Sequence, residues 1–268
     1  MFRYFCITLV VSLLAACSAN DNADKKKAED SIAALKPEFF QTDSGRLEVP
    51  VRDGKKNGTA VLRNANGVVI GSGLFVNDVQ AGVWKRFDQN GKLVSVNQFS
   101  SGKAVRTLDI SDFEKRKFEN AAMNIRLSIP KLWIEVESPN PALMAIFEKN
   151  IADTSVVQPP AVNVVKAVLG KNETLEKLAA DQLNILHQAI NRVEVIDEEY
   201  FTLKKTTGFR RYGMYTVDNI TVGFMNAILI NGNDVYVFNC VADNSKPGEF
   251  LAYQAVFDEL VESFETIK

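Results

Sequence analysis

The side chains in this sequence that could act as nucleophiles or bases are poorly arranged for catalysis. Ser128 and Lys131 have the Ser-x-x-Lys spacing, in which the amine reaches the hydroxyl when both lie on one helical turn. Pro130 stands between them, and proline is disfavoured inside a helix because it removes a hydrogen bond and clashes with the preceding turn. His187 is the single histidine and therefore the only imidazole base. We expect no catalytic residues and no enzyme activity.

The cysteines and the charge balance exclude further classes of function. Only three cysteines are present, and Cys240 lies in the apolar run VYVFNCVA, which is typical of an inert core thiol. With one histidine and so few cysteines, the ligands of a zinc site are lacking, so we expect no metal and no cofactor. The formal net charge of −2 offers no excess of positive charge for a nucleic acid, and we expect no such partner.

The amino terminus has the composition of an export signal. One positive charge precedes an apolar stretch over residues 4–16, which is too short to span a bilayer and ends in small residues. The sequence LLAAC, which ends at Cys17, resembles the lipobox of bacterial lipoproteins. This resemblance implies a signal peptide over 1–16, cleavage before Cys17, and lipidation of Cys17 with acyl chains that anchor the protein to a membrane.

Residues 17–40 are predicted to form a lipidated, flexible tether. Most of the segment is polar and carries charges of both signs, so it cannot bury enough apolar surface to fold alone. Ser18 follows the cysteine where lipoproteins of the inner membrane usually carry aspartate. The resemblance therefore implies an anchor in the outer membrane, with the protein facing the periplasm and an unknown envelope protein as its partner.

An internal repeat of twenty-four residues occupies 41–107. VRDGKKNGTAVLRNANGVV from Val51 aligns with FVNDVQAGVWKRFDQNGKL from Phe75, and a truncated third copy begins at Phe99. Each copy is predicted to have a turn near Gly54, Asp78 or Gly102. The two full copies also have a second turn at an Asn-Gly pair, a dipeptide that between strand-like runs is a strong signal for a tight β-hairpin. Each repeat therefore predicts a β-hairpin that stacks on its neighbours to bury an apolar face.

The repeats resemble the MORN family, in the variant found in proteins described as YwqK-like antitoxins. The copy that begins at Phe75 matches the family pattern of aromatic, glycine, tryptophan, aromatic and Asn-Gly positions, with Trp84 and Phe87 among them. Residues three apart in a strand point to opposite faces, so we expect at most one of the two to be buried unless a bulge intervenes. Trp84 and Phe87 are the candidate partner-binding residues, with packing between hairpins as the alternative.

A charged segment at 108–122 is predicted to be a linker, followed by a second domain over 123–268. Alternation of apolar and polar residues predicts a strand near its start, and four strand-like runs lie between residues 194 and 241. NETLEKLAADQLNILHQAI predicts an amphipathic helix with Asn172 or Thr174 as its cap, and a second amphipathic helix ends the chain. These elements predict an α+β arrangement, an antiparallel sheet flanked by helices.

The order of these elements resembles the PsbP-like fold. The resemblance rests on SIPKLW from Ser128, on the helix opening TLEKLA from Thr174, and on ESF from Glu262. Leu132 stands where members of the family usually have glycine before the tryptophan. The resemblance implies no shared catalytic site, so no residue is assigned from it. The expected fold class of the whole chain is α+β, with stacked MORN-like hairpins followed by a PsbP-like domain.

These features favour a non-catalytic, membrane-anchored envelope lipoprotein that acts as a protein-binding or adaptor module. The alternative is a YwqK-like antitoxin or immunity protein that neutralises a toxin, which the resemblance of the repeats implies. An unrecognised hydrolase is a more distant third alternative.

Overall fold

The structure is a computed structural model that describes residues 37–151, 158–190, 192–204, 206–245 and 249–267. The chain divides into two compact units, one ending at Glu114 and the other continuing from Lys115. The predicted signal peptide, Cys17 and most of the predicted tether lie outside the described residues. No helix among the described residues is long and apolar enough to cross a membrane.

The first unit, called the repeat sheet below, is antiparallel, and its strands follow one another across the sheet in chain order. Its eight strands are β1 (Pro37–Thr42), β2 (Gly45–Arg52), β3 (Lys55–Lys56), β4 (Gly58–Arg63), β5 (Val69–Val76), β6 (Val79–Phe87), β7 (Leu93–Ser100) and β8 (Lys103–Thr107). The order across the sheet is β1-β2-β4-β5-β6-β7-β8, with β3 paired to β2. A 3-10 turn at Ile110–Asp112 follows β8.

One set of hairpin turns recurs every twenty-four residues, in step with the sequence repeat. Asp53-Gly54, Asn77-Asp78 and Ser101-Gly102 each place two successive residues at positive φ, the conformation of a type I′ turn. At Asn66-Gly67 and Asn90-Gly91 only the glycine has a positive φ. The Asn-Gly pairs therefore do not form the expected two-residue turns, and the tight turns lie at the other end of each hairpin.

Side chains and backbone groups at equivalent positions hold these turns in place. The Oδ1 of Asn64 accepts hydrogen bonds from the backbone N–H groups two and four residues later, at 3.0 Å, and Asp88 does the same at 2.9 Å. Successive tight turns are joined as well, because the N–H of Asp78 donates to the carbonyl of Lys56 at 2.9 Å. The tight turns of neighbouring hairpins therefore lie side by side at one end of the strands of the repeat sheet.

The second unit contains two antiparallel sheets and two α-helices. A three-stranded sheet has the order β18-β10-β9, and a seven-stranded sheet has the order β11-β12-β13-β17-β16-β15-β14. The strands are β9 (Lys115–Asn120), β10 (Ile125–Pro130), β11 (Trp133–Val136), β12 (Met144–Lys149), β13 (Ala161–Val168), β14 (Val193–Leu203), β15 (Thr206–Val217), β16 (Ile220–Asn231), β17 (Asp234–Asp243) and β18 (Glu265–Thr266). The helices are α1 (Leu175–Ala189) and α2 (Glu249–Glu262).

The helices form where their apolar periodicity predicts them. Thr174 caps α1, and its hydroxyl oxygen accepts a hydrogen bond from the N–H of Lys177 at 3.2 Å, which confirms one of the two predicted caps. The first turns of α1 bury Leu175 and Leu178 against a cluster that includes Ile228 of β16. Helix α2 places the ring of Phe250 directly over Gly223 of the same strand, where a larger residue would collide with it.

The α+β class predicted from the sequence is wrong, because the protein is β-rich. Strand accounts for 59% of the described structure and helix for 14%, and the described residues include only two α-helices. Two strands lie in the segments predicted to be tether and linker: β1 begins at Pro37, within the predicted tether, and β9 lies within the predicted linker. No strand was predicted at β11 or β12 either. The sequence overstates the share of helix because an amphipathic helix produces a clear periodic signal, whereas a short charged strand such as KRKFEN of β9 produces almost none.

Candidate binding surface

Four aromatic side chains form a line across the repeat sheet, called the aromatic row here: Phe40, Phe75, Trp84 and Phe99. The rings of Phe75 and Trp84 meet edge to face at 5.2 Å between centroids, and those of Trp84 and Phe99 at 6.2 Å. The Nζ of Lys56 lies 4.9 Å from the ring centroid of Phe40 and 5.7 Å from that of Phe75, so it bridges the two rings. All four aromatic side chains are half-buried, so the row presents apolar area to solvent.

Trp84 is held in this row by specific contacts. Its indole N–H donates to the carbonyl of Leu74 at 3.0 Å, and its ring lies flat against Gly73 of β5. A Cβ at position 73 would lie 2.2 Å from the indole, so only glycine leaves room for the ring there. Trp84, Phe75 and Phe40 pack on the small buried residues of this sheet, among them Val49 and Ala60. Trp84 is therefore a packing residue whose outer surface remains accessible.

The structure does not bring Phe87 into the aromatic row. Phe87 ends β6 opposite Leu93, and the pairing register shifts between Arg86 and Phe87. Its side chain is half-buried, like that of Trp84, so neither residue is fully in the core or fully exposed. The role of the two residues in binding a partner stays a prediction.

β8 forms one border of the repeat sheet and pairs only with β7 among the described strands. All five of its residues are exposed, and Val105 retains 59% of its accessible surface. Lys103 and Arg106 make no ion pair with any of the described residues. β8 therefore combines an unpaired backbone edge, an exposed apolar side chain and two unmatched positive charges.

The second unit contains a network of paired charged and polar side chains around Arg210. The guanidinium donates to Glu199 at 2.5 Å, to Asp258 at 3.2 Å and to Glu262 at 3.4 Å. The hydroxyl of Tyr212 donates to the same Asp258 oxygen at 2.7 Å. Burial raises the pKa of the Tyr212 hydroxyl, and the charge of Asp258 raises it further.

The pKa of Asp258 in this network is raised toward physiological pH. Burial raises its pKa to about 6, and the charges of Glu262 and Glu199 act in the same direction. Arg210 and Tyr212 lower it, but they do not offset the loss of water around the carboxylate. The network links β14, β15 and α2, so its first role is to hold these elements together.

A second set of polar side chains crosses the seven-stranded sheet in register. Asn163, Asn239, Asn226, Arg211 and Glu198 occupy paired positions on β13, β17, β16, β15 and β14. Arg211 is almost fully buried and donates to Glu198 and to the carbonyl of Ala179 in α1, at 3.1 Å for the latter. Asn226 donates to Asn239 at 2.9 Å, and a shift of one residue between β16 and β17 or between β14 and β15 would break this bond or the pair of Arg211 with Glu198.

The residues considered for catalysis are dispersed in the structure. Ser128 lies in β10 and its N–H bonds to the hydroxyl of Ser263, whereas Lys131 follows the end of that strand. His187 is exposed in the last turn of α1. Cys240 is fully buried, and burial raises the pKa of its thiol. No group of side chains suited to a metal ion occurs among the described residues.

The sequence contained a signal for part of the aromatic row. Phe75 and Phe99 are twenty-four residues apart, so the repeat alignment already placed them at equivalent positions. Phe40 precedes the aligned copies, and its proximity to the row depends on the pairing of β1 with β2. Cys17, the predicted lipidation site, lies outside the described residues, and its role stays a prediction.

No family model matches the chain, and no curated protein matches it. The resemblances to lipoproteins, to MORN repeats and to YwqK-like antitoxins therefore stay predictions. Among solved structures, the chain is similar to a cyanobacterial PsbP from Synechocystis sp. PCC 6803, with 15% identity, 59% of this chain and 95% of that chain covered, and a TM-score of 0.45.

Two further solved structures are similar at the same level. The Saccharomyces cerevisiae Ran-binding protein Mog1p has 14% identity, with 58% of this chain and 96% of that chain covered and a TM-score of 0.46. LpqN, involved in cell envelope biogenesis of Mycobacterium tuberculosis, has 15% identity, with 56% of this chain and 89% of that chain covered and a TM-score of 0.40. All three similarities concern the fold alone.

Proposed function

We propose that this protein is a non-catalytic, membrane-anchored envelope lipoprotein that binds another protein through its repeat sheet. The observation that carries the proposal is the aromatic row. Its rings are held by contacts among Phe75, Trp84 and Phe99, by the Lys56 bridge to Phe40 and by packing on buried residues of the sheet, while each ring keeps part of its surface in water. Preorganised aromatic side chains of this kind are common anchors of protein interfaces, because they bury much apolar area and lose little conformational entropy on binding.

The absence of an arrangement for catalysis in the sequence is consistent with a binding role. The lipobox ending at Cys17 supports the membrane anchor, and the signal before it supports export to the envelope, with the outer membrane as the proposed site. Three acyl chains on one cysteine would exceed the two signals needed for stable attachment to a membrane. We expect neither nucleic acid nor a cofactor as a ligand.

The binding role is tested by site-specific photo-crosslinking in intact cells. A photoreactive residue replaces Asn97, the cross-strand neighbour of Trp84, and in a matched protein it replaces Leu251, an exposed residue of α2. We expect one crosslinked protein that is specific to position 97 and is lost in the Trp84→Ala variant. Identical crosslinks at both positions, or a position-97 product that persists in Trp84→Ala protein of native circular dichroism, would contradict the proposal.

The anchor is tested separately from the binding surface. The wild-type protein should incorporate a fatty-acid label and sediment with membranes, whereas Cys17→Ser protein should remain unprocessed or soluble. Recovery of wild-type protein entirely in the soluble periplasmic fraction would remove the anchor from the proposal and leave the binding surface untouched.

A further inference from the structure

The third repeat lacks the strand that would pair with the outer edge of β8. In the first two repeats a strand after the tight turn has a partner on each side: β4, which follows the first tight turn after the short β3, lies between β2 and β5, and β6, which follows the second, lies between β5 and β7. β8 follows the third tight turn, Ser101-Gly102, and occupies the equivalent place in the repeat. It nevertheless pairs with β7 alone among the described strands, so the position of the next strand of the array is open.

The chain leaves the repeat pattern immediately after β8. The N–H of Leu108 donates to the carbonyl of Val96 at 2.8 Å, which ends the pairing with β7. Asp109 then accepts hydrogen bonds from the N–H of Ser111, at 3.0 Å, and from its hydroxyl, at 2.7 Å, which caps the 3-10 turn. This turn replaces the wider loop that leads to the next strand in the first two repeats, so the chain itself provides no partner for the outer edge of β8.

The side chains of β8 restrict which strand could take that position. Lys103 and Arg106 are exposed and lack an ion pair among the described residues, and Val105 lies exposed between them. Like charges on adjacent strands are destabilising, so pairing with a basic strand or with β8 of a second copy is disfavoured. Asp or Glu side chains on the added strand would instead meet unmatched positive charges.

We propose that the outer edge of β8 receives an extended acidic segment of a partner protein, which adds to the repeat sheet as its next strand. The inference rests on the proposed binding function and names the chemistry of the partner. The added segment runs antiparallel to β8, as β5 and β7 run to the strands before them, and its backbone completes the hydrogen bonds of the edge. Acidic side chains of this segment next to Lys103 and Arg106, and an apolar side chain against Val105, make the edge selective for acidic over basic segments.

The test uses the full chain and three synthetic blocked hexapeptides. The first has glutamate at two positions three apart, which matches the spacing of Lys103 and Arg106, and valine or threonine at the other four positions. The second has lysine in place of each glutamate, and the third is the acidic peptide with alternate backbone amides methylated. Amide hydrogen exchange of residues 103–107 is measured with and without each peptide. Because an added strand hydrogen-bonds the edge amides, we expect the acidic peptide to slow exchange in β8 by about tenfold at saturation, and the other two to leave it unchanged.

Charge variants locate the interaction on β8. Lys103→Glu with Arg106→Glu should weaken binding of the acidic peptide by about tenfold or more. The matched control is Lys55→Glu, since Lys55 is exposed and occupies the position of Lys103 in the first repeat, away from the open edge. Both changes are at exposed positions, and circular dichroism verifies that each variant keeps the native sheet.

Several results would overturn the inference. Equal binding of the methylated peptide would show attraction between side chains without strand addition, and equal binding of the basic peptide would remove the charge selectivity. Exchange protection of β8 that depends on protein concentration, without peptide, would identify a second copy as the occupant. A crosslinked partner that is lost in Trp84→Ala but kept in the β8 variant would leave the proposed function standing while this inference fails.

Discussion

The two units bury their aromatic side chains to different depths. In the second unit Trp133, Phe147 and Phe257 are at most 2% exposed, whereas the four rings of the aromatic row in the repeat sheet are all half-buried. The fully buried residues of the cluster beneath the row are small, namely Val49 and Ala60. The second unit thus buries its large aromatic side chains in its own core. The repeat sheet leaves part of each ring of the aromatic row accessible to solvent.

The largest loss of stability is expected when the second unit is produced as a fragment that begins within β9 and not at its first residue. A fragment that begins at Lys115 keeps all of β9, including Phe118, whose ring meets Phe147 at 4.8 Å. A fragment that begins at Glu119 loses that strand and exposes Phe147 and the edge of β10. We expect the first to unfold cooperatively in urea and the second to show a broad, non-cooperative transition, as followed by circular dichroism and near-ultraviolet signals.

The two fragments also test the predicted linker at 108–122. Cooperative unfolding of both would mean that β9 contributes little and that the linker extends as predicted. Non-cooperative unfolding of both would mean that the second unit needs residues before Lys115 in order to fold. The burial of aromatic side chains could then not be compared between the two units as if they folded independently.

The next prediction compares the free energy of unfolding that is lost when a buried ring and a half-buried ring are each removed. Phe257 is fully buried and meets Trp133 at 6.1 Å, so Phe257→Ala should lower the free energy of unfolding by about 3–5 kcal/mol. Trp84→Ala should lower it by about 2 kcal/mol, because part of the indole is already in water. Urea unfolding of the full chain gives both values, and a loss at Trp84 equal to that at Phe257 would place the aromatic row in the core.

The sequence predicted local features of this fold better than contacts between distant segments. The repeat spacing, the Thr174 cap of α1 and the strands between residues 193 and 243 follow from turns, caps and alternation within short windows. The predicted class failed because β1 and β9 carry little periodicity and are strands through their pairing with β2 and β10.

The contacts that define the surfaces depend on that pairing as well. Phe40 reaches the aromatic row only because β1 lies against β2, and no local pattern announces it. Arg210 and Asp258 are 48 residues apart, so their contact depends on how α2 packs on the sheet. The exposed edge of β8 could be anticipated in part, since the alignment already showed that the third copy is truncated.

The buried network of the second unit predicts a dependence of stability on pH. The pKa of Asp258 is raised in the folded protein to about 6 from an ordinary value of 3.8. At a pH between these two values the folded state therefore holds a proton that the unfolded state has released. Stability should therefore be highest below pH 4 as far as this group is concerned, and fall by at most roughly 3 kcal/mol as the pH rises to about 6.

The measurement is the free energy of unfolding in urea between pH 4 and pH 7 for the wild type and Asp258→Asn. The difference between the two proteins isolates this carboxyl, because the other titrating groups are common to both. We expect the wild type to lose stability relative to the variant as the pH rises. A constant difference would show that Arg210 and Tyr212 keep the pKa of Asp258 at its ordinary value.

The last comparison concerns whether the aromatic packing of each unit can adjust to an added methyl group. A Cβ at Gly73 would lie 2.2 Å from the indole of Trp84, and one at Gly223 would lie 2.1 Å from the ring of Phe250, so alanine displaces a ring in both cases. Phe250 belongs to α2, is 4% exposed, and its ring can move only with the helix, whereas Trp84 can turn outward into solvent. We expect Gly223→Ala to cost about 3 kcal/mol and Gly73→Ala about 1 kcal/mol.

Gly71→Ala serves as the matched control for both glycine variants. It is a β5 glycine whose added Cβ would meet Leu62 at an ordinary 3.5 Å, so its effect on the free energy of unfolding should be close to zero. Tryptophan fluorescence of Gly73→Ala should shift toward the red as the indole of Trp84 enters water. If Gly73→Ala is as costly as Gly223→Ala and leaves the fluorescence unchanged, the aromatic row is as rigid as the core of the second unit. A surface of that rigidity would have to bind a partner without rearranging.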